Sequence, residues 1–277
     1  EDSSQFNNLA TGVFNDKTNI SSGGSASLYS PPGSSPVINN QGLWTKYGAG
    51  ETSIGSYGVF NNEGTVAVTT GLLKLGVSGT DTGIYDTVST GQIEFSSGTR
   101  TLTDAQLKGT NTVKVSGANL TLAGNTTIEA GTGLDISSGA FTLSTGTTLT
   151  TPASVTVSGG TLTLSTGQAI VTPVLNVSGG TLTGSDTLTV SNSFNGGASG
   201  RISGTGTLNT LAGSTSTLAG SYFNMSDTRI WNNSGVVDWE GTQGSGTDYF
   251  RLEDSSQFNN LATGVFNDKT NISSGGS

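Results

Sequence analysis

Apolar and hydroxyl side chains alternate through most of the middle of this chain. The stretch Val155-Thr-Val-Ser-Gly-Gly-Thr-Leu-Thr-Leu164 shows the pattern, and residues 113–122 and 134–143 follow the same template. Side chains on a β-strand point alternately to its two faces, so the Val and Leu side chains share one face and the Thr side chains the other. No stretch shows apolar residues at the helical spacing i, i+3, i+4, i+7. The pattern therefore predicts an all-β fold of short strands joined by glycine-rich turns.

The template recurs along the chain at a nearly constant step. Copies begin at positions 66, 93, 113, 134, 155 and 175, and only the first interval is distinctly longer than the others. A meander of β-hairpins is an alternative arrangement of the same strands. When copies recur at a fixed step, however, parallel stacking places each residue beside the equivalent residue of the next copy. We therefore predict a parallel β-solenoid with about 20–21 residues per coil. Right-handed coiling is expected because parallel crossover connections are generally right-handed.

One copy of the template departs from the pattern. Arg100 stands where the other copies place Leu or Phe. A shift of two residues restores the alternation as Thr101-Leu102-Thr103. This interpretation requires a longer turn before that strand.

The end of the chain repeats its beginning. Residues 253–277 are identical to residues 1–25, so the chain carries one full period, residues 1–252, and the start of a second. A step of about 21 residues divides the 252-residue period into about 12 coils. We interpret the chain as a window from a longer, self-similar polymer. The candidate junction between periods is formed by Glu253, Asp254, Phe258, Asn259 and Asn260.

Composition divides the period into two zones. Residues 66–220 are regular and rich in Thr, Val and Gly, and we interpret them as a smooth shaft. Residues 1–65 and 221–252 hold most of the aromatic side chains. Asn tolerates left-handed backbone and forms hydrogen-bonded ladders when stacked, so Asn pairs are expected at coil corners. These pairs are Asn7-Asn8, Asn39-Asn40, Asn61-Asn62 and Asn232-Asn233.

Composition and charge narrow the range of functions. Only 31% of the 277 residues are hydrophobic and 43 are glycine, which is typical of disordered polymers, but the long alternation argues against disorder. The formal net charge of −9 offers no basic patch for a nucleic acid. Cysteine is absent, so the fold needs no disulfide. No apolar run reaches the roughly 18 residues of a membrane-spanning helix, so no membrane span is expected in this segment.

Several short motifs resemble units of giant repeat-rich bacterial surface proteins. They are Val157-Ser-Gly-Gly-Thr-Leu-Thr163, Gly184-Ser-Asp-Thr-Leu-Thr-Val190, Ser203-Gly-Thr-Gly-Thr-Leu208 and Val237-Asp-Trp-Glu-Gly241. The proteins they resemble are adhesins with filamentous-haemagglutinin-like or autotransporter-passenger-like β-helices. The resemblance covers about residues 59–245 and marks a style of architecture rather than a single family. It implies export and a surface-exposed stalk, and it carries over no catalytic residue.

The residue types present leave few chemical options. Histidine and cysteine are absent, which excludes Ser-His-Asp and Cys-His catalysis and a typical zinc site. Asp238, Glu240 and Asp248 lie close together, so a glycosidase pair or a calcium site is an alternative to solvated surface charge. An outward Thr column is an alternative ice-binding surface, although Asn and Ala interrupt it. Its clearest pairs are Thr101/Thr103, Thr161/Thr163 and Thr181/Thr183.

The aromatic zone supplies the remaining candidates. Exposed aromatic rings stack on sugars or bury a lateral contact with a neighbouring filament, and buried rings fill a wider core. The candidates for glycan or lateral contact are Trp44, Tyr47, Trp231 and Trp239. The preferred hypothesis is a non-enzymatic structural protein of an extracellular fibre, stalk or sheath, with itself as partner and no cofactor. The main alternative is an adhesin or glycan-binding module, and the others are a polysaccharide-degrading β-helix enzyme, a calcium-binding protein and an ice-binding protein.

Overall fold

The predicted all-β class is confirmed, and the fold is a parallel β-solenoid. In the described residues the chain forms strands and turns, and none of those residues is helical. The chain divides into two compact units, Glu1–Pro152 and Ala153–Ser277. The structure is a computed structural model that describes residues 4–19, 25–29, 32–55, 58–109, 111–129, 131–197, 199–220, 222–241 and 248–270.

The first unit is built from short strands that return to the same position once per coil. In chain order they are β1 (Gln5–Asn8), β2 (Val13–Asp16), β3 (Ser25–Tyr29), β4 (Val37–Asn40), β5 (Leu43–Lys46), β6 (Glu51–Gly55), β7 (Val59–Asn62), β8 (Thr65–Val68), β9 (Leu72–Leu75), β10 (Gly79–Asp81), β11 (Ile84–Thr87), β12 (Gln92–Phe95), β13 (Thr99–Thr103), β14 (Gln106–Gly109), β15 (Val113–Ala123), β16 (Thr127–Ile128), β17 (Leu134–Leu143) and β18 (Thr148–Leu149).

The strands of this unit pair in parallel on three faces. Face A stacks β1, β4, β7, β10, β13 and the second halves of β15 and β17. Face B stacks β2, β5, β8, β11, β14, β16 and β18. Face C stacks β3, β6, β9, β12 and the first halves of β15 and β17. The chain visits the faces in the order A, B, C, which is the topology of a solenoid and not of a hairpin meander.

The second unit has the same construction. Its strands are β19 (Val155–Val157), β20 (Thr161–Leu164), β21 (Ile170–Val177), β22 (Thr181–Gly184), β23 (Thr187–Gly196), β24 (Gly200–Ile202), β25 (Thr207–Thr210), β26 (Thr215–Ala219), β27 (Tyr222–Met225), β28 (Ile230–Asn233), β29 (Val236–Gly241), β30 (Tyr249–Leu252), β31 (Gln257–Asn260) and β32 (Val265–Asp268). Face D stacks β20, β22, β24, β27 and β30. Face E stacks the first halves of β21 and β23 with β25, β28 and β31. Face F stacks β19, the second halves of β21 and β23, β26, β29 and β32.

The length of a coil differs between the shaft and the aromatic zones. On the shaft, Thr101 is the register partner of Thr121, and Thr161 is the register partner of Thr181. In the aromatic zones the separation varies, because Gln5 on β1 pairs with the distant Val37 on β4, whereas Val37 pairs with the much nearer Val59 on β7. Some coils of the aromatic zones are therefore longer than those of the shaft, and a uniform step for the whole period stays a prediction. Right-handed coiling and about 12 coils per period stay predictions.

Alternation places Val, Leu and Ile in the interior and Thr on the surface. The interior rows are fully buried over most of the shaft, as Leu102, Leu122 and Leu162 show. This packing removes apolar surface from water at about 25 cal/mol per Å². The outward Thr column forms as expected, with Asn119 opposite Ala140 as an interruption. Its members stack in register as Thr101, Thr121 and Thr142 in the first unit and as Thr161 and Thr181 in the second.

Arg100 corrects the interpretation of the irregular copy. Arg100 pairs in register with Leu120, and Leu102 pairs with Leu122, so the alternation is not shifted and no longer turn is needed. The Arg100 side chain points inward and is 1% exposed. Its Nη1 donates a hydrogen bond to Asp81 Oδ2 at 2.5 Å, and Asp81 is 0% exposed. A carboxylate one coil below therefore permits a guanidinium in a row of leucines, because a buried charge requires a paired partner.

Candidate functional site

The first residue of each Asn pair points outward, and these residues form a ladder. Asn39 Nδ2 donates to Asn7 Oδ1 at 2.8 Å, and Asn61 Nδ2 donates to Asn39 Oδ1 at 3.0 Å. The backbone N–H of Thr80 continues the series by donating to Asn61 Oδ1 at 3.1 Å. Every donor in this outer ladder therefore points towards the preceding coil. The stacked Asn ladders expected from the sequence are present.

The second residue of each pair points inward and forms a parallel ladder with the opposite polarity. Asn8 Nδ2 donates to Asn40 Oδ1 at 2.7 Å, and Asn40 Nδ2 donates to Asn62 Oδ1 at 2.8 Å. The backbone N–H of Asn62 then donates to Asp81 Oδ1 at 2.8 Å. Asn40 and Asn62 are 0% exposed, so the ladder provides partners for amides that would be costly to bury alone.

The second unit repeats both ladders. On the outer side, Asn232 Nδ2 donates to Asn209 Oδ1 at 3.1 Å, and Asn259 Nδ2 donates to Asn232 Oδ1 at 2.9 Å. On the inner side, Asn233 Nδ2 donates to Asn260 Oδ1 at 2.8 Å. The outer donors again point to the preceding coil and the inner donor to the following one. Both units therefore contain an outer and an inner Asn ladder, and the hydrogen bonds of each ladder run in the same direction in the two units.

The candidate junction residues lie on the last coils of the second unit. Glu253 accepts a hydrogen bond from Asn224 Nδ2 at 3.0 Å and is half-buried. Asp254 is exposed and has a φ of 52°, which fits the turn before β31. The remaining candidates lie on β31, which pairs with β28, and they are Phe258, Asn259 and Asn260. Residues 271–277 of the repeated segment lie outside the described residues, as do residues 1–3 and 20–24 of its first copy.

Two of the predicted glycan contacts are core residues. Trp44 and Trp231 are both 0% exposed. The Trp44 ring centroid lies 4.2 Å from that of Phe14, and the Trp231 centroid lies 4.9 Å from that of Phe258. The expectation that Trp44 and Trp231 contact a glycan or a neighbouring filament is therefore wrong. They belong to the core because alternation places each of them on the inward side of its strand.

The other two predicted contacts lie nearer the surface. Trp239 is half-buried, and its ring centroid lies 6.4 Å from that of Phe266. Tyr47 is 39% exposed, and the Lys17 ammonium lies 5.7 Å from the centre of its ring. Of the four predicted aromatic contacts, these two are open to solvent.

An outward-facing aromatic pair that the sequence reasoning missed lies on face D, with Tyr222 half-buried and Tyr249 50% exposed. Tyr222 and Tyr249 are register partners on β27 and β30, with ring centroids 6.0 Å apart. The Arg251 guanidinium lies 5.9 Å from the Tyr222 ring centre and donates to the Tyr222 hydroxyl. These three residues line a cavity of about 390 Å³. The available signal was the dipeptide Tyr-Phe at both positions, because Phe223 is buried and alternation then turns the tyrosines outward.

The acidic residues Asp238, Glu240 and Asp248 do not form a group that resembles a metal site. Asn267 Nδ2 donates to Asp238 Oδ1 at 2.8 Å, and Lys269 Nζ lies 2.9 Å from Asp238 Oδ2. These two neighbours hold the pKa of the Asp238 carboxyl below its ordinary value. Glu240 is exposed and Asp248 is half-buried. Within the described part of the chain, no three acidic side chains are grouped as a cation would require.

Two further cations point inward, which the sequence reasoning did not foresee. Lys46 is 0% exposed, and its Nζ donates to the carbonyl oxygens of Gly48 at 2.5 Å and Thr18 at 3.2 Å. Burial lowers the pKa of Lys46, and the nearby carboxylate of Asp16 opposes that change. Burial also lowers the pKa of Arg229 to about 10. Backbone carbonyls thus take part in holding charges inside the aromatic zones.

Comparisons with known proteins give no relative from which a function can be transferred. No protein-family model, curated protein or solved structure matches this chain. The described residues also contain no helix with the length and apolar character needed to cross a membrane. The functional argument therefore rests on the residues and geometry above.

Proposed function

We propose that this chain is a repeat of a structural extracellular filament, a fibre, stalk or sheath at a cell surface. The observation that carries the proposal is the repeated segment, residues 1–25 and 253–277. Its two copies form the same pair of strands, β1 and β2 in one unit and β31 and β32 in the other. When the end of one repeat has the same sequence as the start of the next, further repeats can be added without limit, because each coil of a solenoid contacts only its neighbours.

The proposed role is mechanical. Parallel backbone ladders carry load along the stacking direction, and the Asn ladders add side-chain hydrogen bonds in the same direction. The surface is rich in Thr, Ser and Asn with a net charge of −9, which favours solubility and limits lateral association. The proposal includes no catalytic step and no cofactor, and its main partner is a further copy of the repeat.

Two measurements on the native source test this function. The proposal predicts that antibodies raised against this chain label the outside of intact cells. It also predicts that the denatured native polypeptide has a mass many times the 27.8 kDa of this chain. Antibodies against a cytoplasmic protein are the control for intact cells. A denatured mass near 27.8 kDa, or labelling only after cells are opened, would contradict the proposal.

Glycan binding is a second candidate, and the outward-facing pair of the half-buried Tyr222 and the exposed Tyr249 favours it. Two tyrosine rings beside Arg251 offer stacking surfaces and hydrogen-bond donors for a polar sugar. The test is a glycan array probed with the wild type and with the Tyr222→Ala/Tyr249→Ala variant. Loss of specific spots in this variant supports an adhesin role. A Tyr47→Ala variant is the matched control on another exposed tyrosine, and an array without wild-type signal excludes this function.

A further inference from the structure

The described part of the repeated segment forms the first two strands of a coil with the same internal geometry in both copies. We call it the shared coil, residues 4–18 in the first copy and 256–270 in the second. The ring centroids of Phe6 and Phe14 are 5.5 Å apart at 80°, and those of Phe258 and Phe266 are 5.5 Å apart at 71°. The turn between its two strands is closed by the same backbone hydrogen bond in both copies. The segment therefore determines its own coil, whichever unit contains it.

The two copies of the shared coil are covered on opposite sides. In the first copy, β1 and β2 pair with β4 and β5, which follow them in the chain. In the second copy, β31 and β32 pair with β28 and β29, which precede them. The same residues thus have a known neighbour on each side, and each neighbour is seen in a different unit.

The backbone groups used in the two copies are complementary. In the second copy the N–H of Val265 donates to the Gly235 carbonyl of the preceding coil at 2.9 Å. In the first copy the carbonyl of Gly12 accepts from the N–H of Leu43 in the following coil at 2.9 Å. In a parallel ladder the backbone groups of successive residues face opposite neighbours. The two neighbours therefore do not compete for the same backbone groups.

We propose that the shared coil is the joint between successive copies of the 252-residue repeat. It lies between β28 and β29 of one copy and β4 and β5 of the next, so face E of one copy continues into face A of the following one. The partner of residues 256–270 is thus a second copy of this repeat, through its residues 37–46. This inference rests on the proposed function and specifies how one repeat meets the next.

The Asn ladders support this joint because their polarity matches on both sides. Asn259 donates to Asn232 below it, and Asn7, its equivalent in the first copy, accepts from Asn39 above it. One Asn at this position therefore both donates and accepts when the two neighbours are present together. The inner ladder also keeps its direction. The amide of Asn233 donates to Asn260, and Asn8, the equivalent of Asn260 in the first copy, donates to Asn40 of the following coil. A reversed direction in either copy would have broken the series at the joint.

Aromatic packing is complementary in the same way. The ring of Phe258 lies 4.9 Å from that of Trp231, and the ring of Phe14 lies 4.2 Å from that of Trp44. Phe6, the equivalent of Phe258, is 42% exposed in the first copy. In the proposed joint the phenylalanine pair of the shared coil lies between the two tryptophans. Phe6 then gains the cover that Trp231 gives to Phe258.

The placement of opposite charges points to the same neighbour. Asp16 is 5% exposed and is the register partner of the buried Lys46, although the two side chains form no ion pair. Asp268, the equivalent of Asp16, is exposed in the second copy. Lys46 also donates to the carbonyl of Thr18, whose equivalent is Thr270. Lys46 of a following copy would therefore donate to the carbonyl of Thr270 and bring an ammonium near the carboxylate of Asp268, as it lies near Asp16 in the first copy.

The test uses a chain in which residues 1–252 are followed by the complete 277-residue sequence. The native sequence has no cysteine, so introduced thiols are unique. The lower pair joins Asn232→Cys of the first repeat to Asn259→Cys of the shared coil that directly follows that repeat, because these two are register partners. The upper pair joins Asn267→Cys of the same shared coil to Thr45→Cys of the second repeat, because Asn15, the equivalent of Asn267, is the register partner of Thr45. Dibromobimane, a short thiol crosslinker, matches the interstrand spacing of ~4.8 Å, and peptide mass mapping identifies each bridge.

A chain that carries both cysteine pairs tests whether the shared coil holds its two neighbours at the same time. We expect both bridges to close in the same molecule, as completely as each closes alone. The off-register pair, Asn232→Cys with Asn267→Cys, is the control and should stay open. If only one bridge closes per molecule, or if the control closes equally well, the inference is overturned. Either failure leaves the surface labelling and the native mass unaffected, so it is distinct from a failure of the proposed function.

Discussion

The buried pair of Asp81 and Arg100 gives the sharpest prediction for stability. The two side chains are 0% and 1% exposed, and the carboxylate also accepts the backbone N–H of Asn62 at 2.8 Å. Removing one partner of a buried ion pair costs about 3–5 kcal/mol, because the other charge stays buried without compensation. We therefore expect Asp81→Asn and Arg100→Met each to lower the free energy of unfolding of the first unit by about 3–5 kcal/mol.

The double variant should recover most of this loss. Asn at position 81 keeps an oxygen for the N–H of Asn62, and Met fills the space of the Arg100 side chain beside Leu120. Replacement of a buried ion pair by neutral groups of similar volume is often neutral or stabilising. We expect Asp81→Asn/Arg100→Met to unfold within about 1 kcal/mol of the wild type.

The assay is urea unfolding followed by circular dichroism, with hydrogen exchange at β10 and β13 as the local measurement. The pH dependence adds a second criterion. Burial raises the pKa of Asp81, and Arg100 opposes that rise. Without the guanidinium the folded pKa lies above the unfolded value, so the stability deficit of Arg100→Met should shrink as the pH falls through the folded pKa. A double variant as unstable as the sum of both single variants would refute this reasoning.

Two further predictions concern the Asn ladder and the acidic cluster. Asn40→Ala leaves buried ladder partners without a hydrogen bond and should cost about 1–3 kcal/mol in urea unfolding, whereas the outward Asn39→Ala should cost less than about 1 kcal/mol. Equal costs for the two would contradict the assigned inward and outward positions. The amide of Asn267 and the ammonium of Lys269 lower the pKa of Asp238, so this carboxylate stabilises the last coil above its unfolded pKa. Exchange of β32 amides, corrected for intrinsic rates, should therefore increase as the pH falls through the folded pKa of Asp238, and Asp238→Asn should remove that part of the change.

The sequence predicts the regular part of this fold because one rule governs it. Alternation in a strand decides which side chains point inward, and a constant step decides which residues stack. The column Thr101, Thr121 and Thr142 therefore follows directly from the template. Coil length in the aromatic zones does not follow, because the sequence separation of register partners changes there from one coil to the next.

The errors at individual residues have a common physical origin. Arg100 looked misplaced because its counter-charge, Asp81, lies on the previous coil and belongs to no recognisable motif. Aromatic enrichment alone predicts Trp44 and Trp231 as surface contacts, whereas the alternation of their own strands places both in the core. The same alternation, applied to Tyr222 in its Tyr-Phe dipeptide, indicates an outward-facing ring. Partners across coils need three-dimensional information, whereas the inward or outward side of a residue does not.

The central claim is that identical repeats extend one solenoid, and particle length tests it most directly. Chains of one, two and four repeats, each ending with the repeated segment, can be compared by electron microscopy. The account predicts rods of constant width whose length grows by the same increment per repeat, roughly 58 Å for about 12 coils at the interstrand spacing of ~4.8 Å. Particles that widen or become globular as repeats are added, with no constant increment in length, would contradict it.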